Sequence, residues 1–218
     1  MRLCLKMLNV FVLFATLLDL SAQDPMRFKK QIEAYKTIDE ALDYQDVIVF
    51  TGSSSILFWK TLKVDFPNYN VINRGFGGSQ FSDLIYFADQ LILQYLPGKI
   101  FIYEGDNDIA YPKPVDSIFL DAKYLVSKIR RTLPNAEIHF IAPKPSVARW
   151  HLKDQYLTLI HEMKKWCSVD KKLHFVDVWA PMCDENGEVE AELFIGDKLH
   201  MNEKGYEIWK QVIRTYLD

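Results

Sequence analysis

From about residue 26 onward the chain alternates between two hydrophobic rhythms. Phe28, Ile32, Tyr35, Ile38 and Leu42 recur at helical spacing, and residues 47–50 (Val-Ile-Val-Phe) then form a short apolar run ending at Thr51 and Gly52. A run of that length, bounded by glycine, reads as a strand buried on both faces. Residues 69–73, 99–103, 137–142 and 173–177 repeat the theme. Amphipathic segments lie between them. Val115, Ile118, Phe119, Ala122, Leu125, Val126 and Ile129 make one apolar stripe. Leu84, Phe87, Ala88 and Leu91 make a second, and Tyr156, Ile160, Met163 and Cys167 a third. A last helix begins near Asn202, a residue type that caps helix N-termini, with Tyr206, Trp209, Ile213 and Tyr216 on its buried side.

Strands alternating with helices need crossover connections, which are right-handed and lay helices over both faces of a parallel sheet. The expected fold is an α/β protein: a three-layer α/β/α sandwich around a five-stranded parallel sheet, flavodoxin-like, in the order 2-1-3-4-5. Ligands in such sheets bind beyond the carboxyl ends of the strands, near the switch between the first and third. The polar and glycine-rich clusters fall there. Residues 52–55 follow the first strand, 73–79 the second and 105–108 the third, while 197–200 precede the last helix.

Composition narrows the picture. The chain has 218 residues, 49% of them apolar, and a net charge of -3. That suits one domain with a good core, and no clustered basic face suggests a nucleic-acid partner. The first 23 residues differ in kind: Arg2 and Lys6 precede a nearly continuous apolar run from Met7 to Leu18, followed by small residues at Ser21 and Ala22. The run is too short to serve as a stable membrane anchor, and the pattern is that of a cleaved export signal. Residues 1–23 are accordingly expected to be a signal peptide and 24–218 a single secreted or periplasmic domain. Cys167 and Cys183 then remain, either as one disulfide or as two free thiols. Neither lies in a metal-ligand pattern.

The clusters at the sheet edge carry the candidate chemistry. A serine hydroxyl needs a base to take its proton, and the base needs a group to orient it. Asp197 and His200 are spaced so that the carboxylate reaches the imidazole of the same turn. His139 and His174 lie inside strands, His161 lies on a helix, and His151 has no acidic partner at this spacing. Three serines, Ser53, Ser54 and Ser55, compete for the nucleophile position, and spacing alone does not choose among them; Ser55 is also a plausible N-cap. Gly78 can present an unobstructed backbone N–H and Asn107 an amide N–H to a tetrahedral oxyanion.

Taken together these segments resemble the blocks of the SGNH hydrolase superfamily, the GDSL-like esterases and lipases. The resemblance runs from about Asp46 to the C-terminus. Its serine block matches residues 52–54 and implies Ser54 as nucleophile. Its glycine block matches 73–79 and implies Gly78 as one oxyanion donor, with the Ser54 N–H as another. Its Gly-x-Asn-Asp block matches 105–108 and implies Asn107 as the third. Its Asp-x-x-His block matches 197–200 and implies Asp197 and His200 as orienter and base. Ser53 stands where the family's short name has aspartate, so a local carboxylate is missing. The resemblance implies hydrolysis with no metal or organic cofactor.

The expected activity is that of a secreted serine ester hydrolase acting on small acyl esters, with acetylated carbohydrate ahead of lipid. Lipid or thioester acyl hydrolysis on the same fold is an alternative. Two other classes compete: a phosphohydrolase using Asp106 and Asp108, and a non-catalytic carbohydrate-binding module. Trp59, Arg74 and the segment 144–150 are candidates for substrate contact outside the catalytic set.

Overall fold

The computed structural model describes residues 24–217. The export-signal reading of residues 1–23 lies outside them. Five strands, β1 (Ile48–Gly52), β2 (Val71–Gly75), β3 (Lys99–Tyr103), β4 (Glu137–Ile141) and β5 (Leu173–Val176), pair in parallel in the order β2-β1-β3-β4-β5. Among the described residues eight α-helices surround them: α1 (Lys29–Asp39), α2 (Ser54–Leu57), α3 (Leu62–Asp65), α4 (Phe81–Leu91), α5 (Asp106–Ala110), α6 (Val115–Thr132), α7 (Lys153–Cys167) and α8 (Glu203–Arg214). This is the expected three-layer fold.

Side chains alternate across a strand, and the two faces bury different chemistry. On one face Phe50, Phe101, His139 and His174 share a register row. Their rings stack one on the next at centroid separations of 4.5, 4.5 and 4.4 Å. The C-terminal segment closes this face: Trp209 packs on Tyr103 and Trp59, and Tyr216 meets His139 edge-on. On the other face Phe140 meets Phe81 of α4 and Trp166 of α7, and Phe119 of α6 meets Trp166. Each favourable aromatic pair adds about 0.5–1.5 kcal/mol beyond the area it buries.

Some details differ from the sequence reading. Helix α1 ends at Asp39, so Leu42 packs from the following loop, and Tyr216 lies just past α8. Asn202 caps α8 as expected, its side chain accepting from the N–H groups of Lys204 and Gly205. The N-cap of α2 is Ser53, not Ser55. Trp59 and Arg74 are only 1% and 3% exposed, so neither is open to substrate. Arg74 pairs with Asp39, and its Nε donates to the Tyr95 hydroxyl at 2.6 Å. Burial there pushes the hydroxyls of Tyr35 and Tyr95 up to about 12. Cys167 is a buried free thiol and Cys183 a half-buried one. Among the described residues no helix is long and apolar enough to cross a membrane.

Candidate active site

Strand β1 ends in a turn that only glycine can make. Gly52 has φ +124°, and a Cβ there would lie 2.0 Å from the Tyr103 carbonyl oxygen. The chain turns over β3 at this point, the Ser53 N–H donating to that same carbonyl at 3.0 Å, and starts the single-turn helix α2 at Ser54. First-turn N–H groups have no intrahelical acceptor, so the Ser54 N–H is a donor at the sheet edge. Two side chains pin this short helix. Asn73 Nδ2 donates to the Ile56 carbonyl at 2.6 Å, its Oδ1 accepts from the Gly75 N–H at 3.0 Å, and the Tyr206 hydroxyl donates to the Ser55 carbonyl at 3.0 Å. Gly75 abuts α2 so closely that a Cβ would lie 2.3 Å from the Leu57 nitrogen. Tyr35 bonds the Gly75 carbonyl from behind.

The second half of the site is the turn at residues 197–200. Asp197 Oδ1 accepts from the N–H groups of Leu199 and His200, both at 2.9 Å, which leaves Oδ2 against His200 Nδ1 at 2.6 Å. Lys198 takes a left-handed conformation, φ 59°, to make the turn. The Ala148 N–H and the Phe194–Met201 bridge fix the turn to the body of the protein. His200 Nε2 then lies 3.0 Å from Ser54 Oγ. Phe58 packs edge-on against the imidazole at 5.0 Å. Desolvation works to raise the Asp197 carboxyl, but the hydrogen bonds from His200 and Leu199 outweigh it and hold the group at about 2. With a proton on Nδ1, the ring donates to Asp197 and offers Nε2 to the Ser54 hydroxyl.

The glycine and asparagine blocks line the same edge. A Cβ on Gly77 would sit 3.8 Å from Ser54 Cβ, whereas Gly78, φ +83°, faces open space. The next residue, Ser79, joins this loop to the end of β3: its hydroxyl donates to Glu104 Oε1 at 2.6 Å, and its carbonyl accepts from Asn107 Nδ2 at 2.9 Å. The Gly-Asp-Asn-Asp block is not a loop but the start of α5, with Gly105 as N-cap at φ +99°. Glu104 is fully enclosed. Burial, reinforced by Asp108, pushes its carboxyl well above the usual range.

The two aspartates around Asn107 point away from any shared ligand. Asp106 is buried against Lys144 and Arg149 and accepts from the hydroxyls of Tyr103 at 2.7 Å and Tyr156 at 2.5 Å. These partners overcome its desolvation and hold it well below the normal carboxylate range. Asp108 accepts from the Phe81 N–H and pairs with Lys113. A carboxylate pair for phosphoryl chemistry is therefore not assembled.

Sequence spacing missed two participants at this edge, Phe58 against the imidazole and the enclosed Glu104, while Arg149 of the candidate segment 144–150 turns its guanidinium to Asp106 and Asn107. Arg149 follows β4, so its position beyond that strand's carboxyl end was the available signal. The strand histidines also come together with Glu137, their ligand atoms lying within 4.8 Å of one another. The two imidazoles are stacked 14° from parallel, so their in-plane lone pairs run side by side and do not converge on one ion.

An open groove of about 420 Å³ runs beside Phe58 and Met201, lined by Lys60, Thr61, Glu203, Tyr206 and Glu207. Its lining mixes the charged Lys60, Asp65, Glu203 and Glu207 with the apolar surface of Phe58, Met201 and Tyr206. Aromatic surface is limited to Phe58 and Tyr206.

Comparison with known proteins fits this arrangement. No curated protein matches the chain by sequence. Among solved structures, a GDSL-like lipase from Bacteroides thetaiotaomicron superposes with a TM-score of 0.73 at 20% identity, covering 85% of this chain and 96% of that one. A Streptococcus pneumonia protein described as a platelet activating factor gives 0.78 at 19%, covering 88% and 94%. An acetylxylan esterase from Geobacillus stearothermophilus gives 0.62 at 14%, covering 78% and 93%. At these identities the likeness is one of fold. The model of the GDSL-like lipase/acylhydrolase family matches residues 51–208, a span that contains both the serine turn and the aspartate–histidine turn, and the chain belongs to that family.

Proposed function

We propose that the protein is a serine carboxylic ester hydrolase in which Ser54 is the nucleophile, His200 the general base and Asp197 its orienting carboxylate. The observation that carries the reading is the continuous hydrogen-bonded path Asp197 Oδ2–His200 Nδ1 at 2.6 Å and His200 Nε2–Ser54 Oγ at 3.0 Å. In this mechanism His200 takes the Ser54 proton as Oγ attacks the ester carbonyl. Asp197 stabilises the imidazolium that forms. The N–H groups of Ser54 and Gly78 and the Asn107 amide receive the oxyanion, and the imidazolium then protonates the departing alcohol. Water releases the acyl group through the reverse roles. Each oxyanion donor is worth about 2.7–4 kcal/mol of barrier.

The substrate proposed is a small acyl ester, acetyl in preference to longer chains, on a carbohydrate alcohol. The groove beside Phe58 supports this, since Lys60, Asp65, Glu203 and Glu207 on its lining can receive the hydroxyls of a carbohydrate leaving group. The N-terminal pattern supports export of the domain that begins near residue 24.

Hydrolysis of p-nitrophenyl acetate by the wild type and by Ser54→Ala, with EDTA present, tests the mechanism. A loss of at least about a hundredfold in the variant is expected, and unchanged activity would sink the assignment. p-Nitrophenyl esters of increasing chain length, run beside acetylated xylo-oligosaccharides, test the substrate. A rise in kcat/KM with chain length would transfer the reading to a lipid acylhydrolase. Binding of sugars without turnover of any ester would transfer it to a carbohydrate-binding module.

A further inference from the structure

The Asn107 side chain raises a question of polarity. The two ends of a carboxamide are almost equal in size, yet only the NH2 end can donate to an oxyanion. If the group were rotated by half a turn, its oxygen would face the developing negative charge and oppose the reaction. Something must hold the amide the right way round.

Arg149 meets that need. One guanidinium nitrogen, Nη2, donates to Asn107 Oδ1 at 3.0 Å. Guanidinium carries N–H donors and no acceptor, so only the oxygen end of Asn107 can face it. On the opposite side Asn107 Nδ2 donates to the Ser79 carbonyl at 2.9 Å, an acceptor that only the nitrogen end can satisfy. Two partners of opposite character therefore fix one orientation, and the second N–H of Nδ2 is left over.

The arginine is itself anchored. Its Nη1 donates to Asp106 Oδ1 at 2.5 Å and to the Asp106 carbonyl at 3.1 Å. Asp106 is buried and kept ionised by Lys144 and two tyrosine hydroxyls. A planar fork with several fixed donors can hold a backbone oxygen, a carboxylate and an amide oxygen at once. A lysine ammonium cannot reproduce that geometry.

We infer that Arg149 is a positioning residue for the oxyanion site: it acts through Asn107, clamping the amide so that Nδ2 faces the tetrahedral intermediate formed on Ser54. This rests on the serine-hydrolase reading above and adds to it a residue outside the four sequence blocks. Arg149 then contributes to kcat and not to substrate affinity, and its contribution disappears when Asn107 is gone.

The test is a double-mutant cycle on p-nitrophenyl acetate with Arg149→Ala, Asn107→Ala and the double variant, each with kcat and KM measured separately. Arg149→Ala should lower kcat about tenfold or more with KM nearly unchanged, Asn107→Ala about a hundredfold or more, and the double variant no more than about twofold beyond Asn107→Ala. Methylguanidinium should restore part of kcat in Arg149→Ala and none in the double variant. Arg149→Lys keeps a cation for Asp106 and so guards against misfolding. It should lose kcat nearly as much as Arg149→Ala while its thermal midpoint stays close to wild type. Losses that multiply across the cycle, a rise in KM with kcat unchanged, or full activity in Arg149→Lys would each overturn the inference. Ser54→Ala in the same series separates the two readings. If it stays active the serine mechanism falls, whereas an inactive Ser54→Ala beside multiplicative losses removes the role of Arg149 alone.

Discussion

Ser54 and His200 are 146 positions apart in the chain, and their Oγ and Nε2 atoms are 3.0 Å apart in the fold. That contact makes the pair a unit, because the hydroxyl is a poor nucleophile without the ring and the ring has nothing to activate without the hydroxyl. His200→Ala should lower kcat on p-nitrophenyl acetate by about 10³-fold or more, and adding Ser54→Ala should cost little further. Single-variant losses that multiply in the double variant would show that the two side chains do not act together.

Asp197 serves the backbone through Oδ1 and the imidazole through Oδ2. Asp197→Asn can keep the first role and lose the second, since the amide turns a donor toward Nδ1 and favours the wrong tautomer. The variant should fold normally, with kcat down by about 10²–10⁴-fold. Circular dichroism and steady-state kinetics on one preparation would check both halves. The carboxyl is held at about 2, so it stays ionised throughout the neutral range and gives the activity profile no acid limb above pH 4.

Glu104 predicts a stability effect with a definite sign. Its folded value lies well above 4.5, so as pH rises past 4.5 the unfolded chain releases this proton first and folding loses support. Glu104→Gln removes the titration while leaving an oxygen to accept from Ser79. The variant should gain stability over wild type as pH rises, by up to about 1.4 kcal/mol per pH unit between 4.5 and the folded value, with no such gain near pH 4. Urea unfolding at pH 4, 6 and 8 measures this, and a gain independent of pH would show that Glu104 titrates normally.

His139 behaves in the opposite sense. Burial, together with the nearby His174 and Lys99, lowers it from 6.5 to about 3. Glu137 and the Tyr216 ring complete its surroundings. Below pH 6.5 the unfolded chain takes up a proton that the folded one refuses, so stability falls with pH down to about 3, by up to about 1.4 kcal/mol per unit. His139→Gln should flatten that slope between pH 6.5 and 4.5 in thermal or urea melts. An unchanged slope would assign the acid sensitivity to other groups.

Two glycines with positive φ should respond differently to alanine. At Gly52 the new Cβ meets the Tyr103 backbone at 2.0 Å, and at Gly78 it meets nothing within 4 Å. Gly52→Ala should cost more than about 3 kcal/mol. Gly78→Ala should cost only the left-handed strain of about 1–2 kcal/mol. Denaturant midpoints of the two variants compare them directly.

The five strands were legible in the sequence as short apolar-rich segments bounded by turns, and their order followed from the alternation of strands with crossover helices. The pairing of Asp197 with His200 was legible for a similar reason: both lie in one turn. Arg74 and Trp59 misled as substrate candidates because a charged or amphipathic side chain near an edge loop gives no sign of which way it turns. Their partners, Asp39 and Asp65, are on other segments or several residues away. Arg149 was visible as a residue in the right loop, but its hold on Asn107 depends on a contact 42 positions away. Glu104 was hidden because the upward push on its carboxyl comes from enclosure by elements distant in the chain.

The turn that carries Asp197 and His200 follows every strand in chain order, whereas Ser54 sits just past the end of the first. The contact between His200 and Ser54 closes a loop of 146 positions, and such non-local contacts form late because the entropy of closure must be met before they reward it. On the proposed mechanism the hydroxyl stays inert until residues 197–200 dock against α2. Recovery of catalysis after dilution from urea should thus trail the return of the far-ultraviolet signal, making turnover a completion signal for the molecule's own assembly.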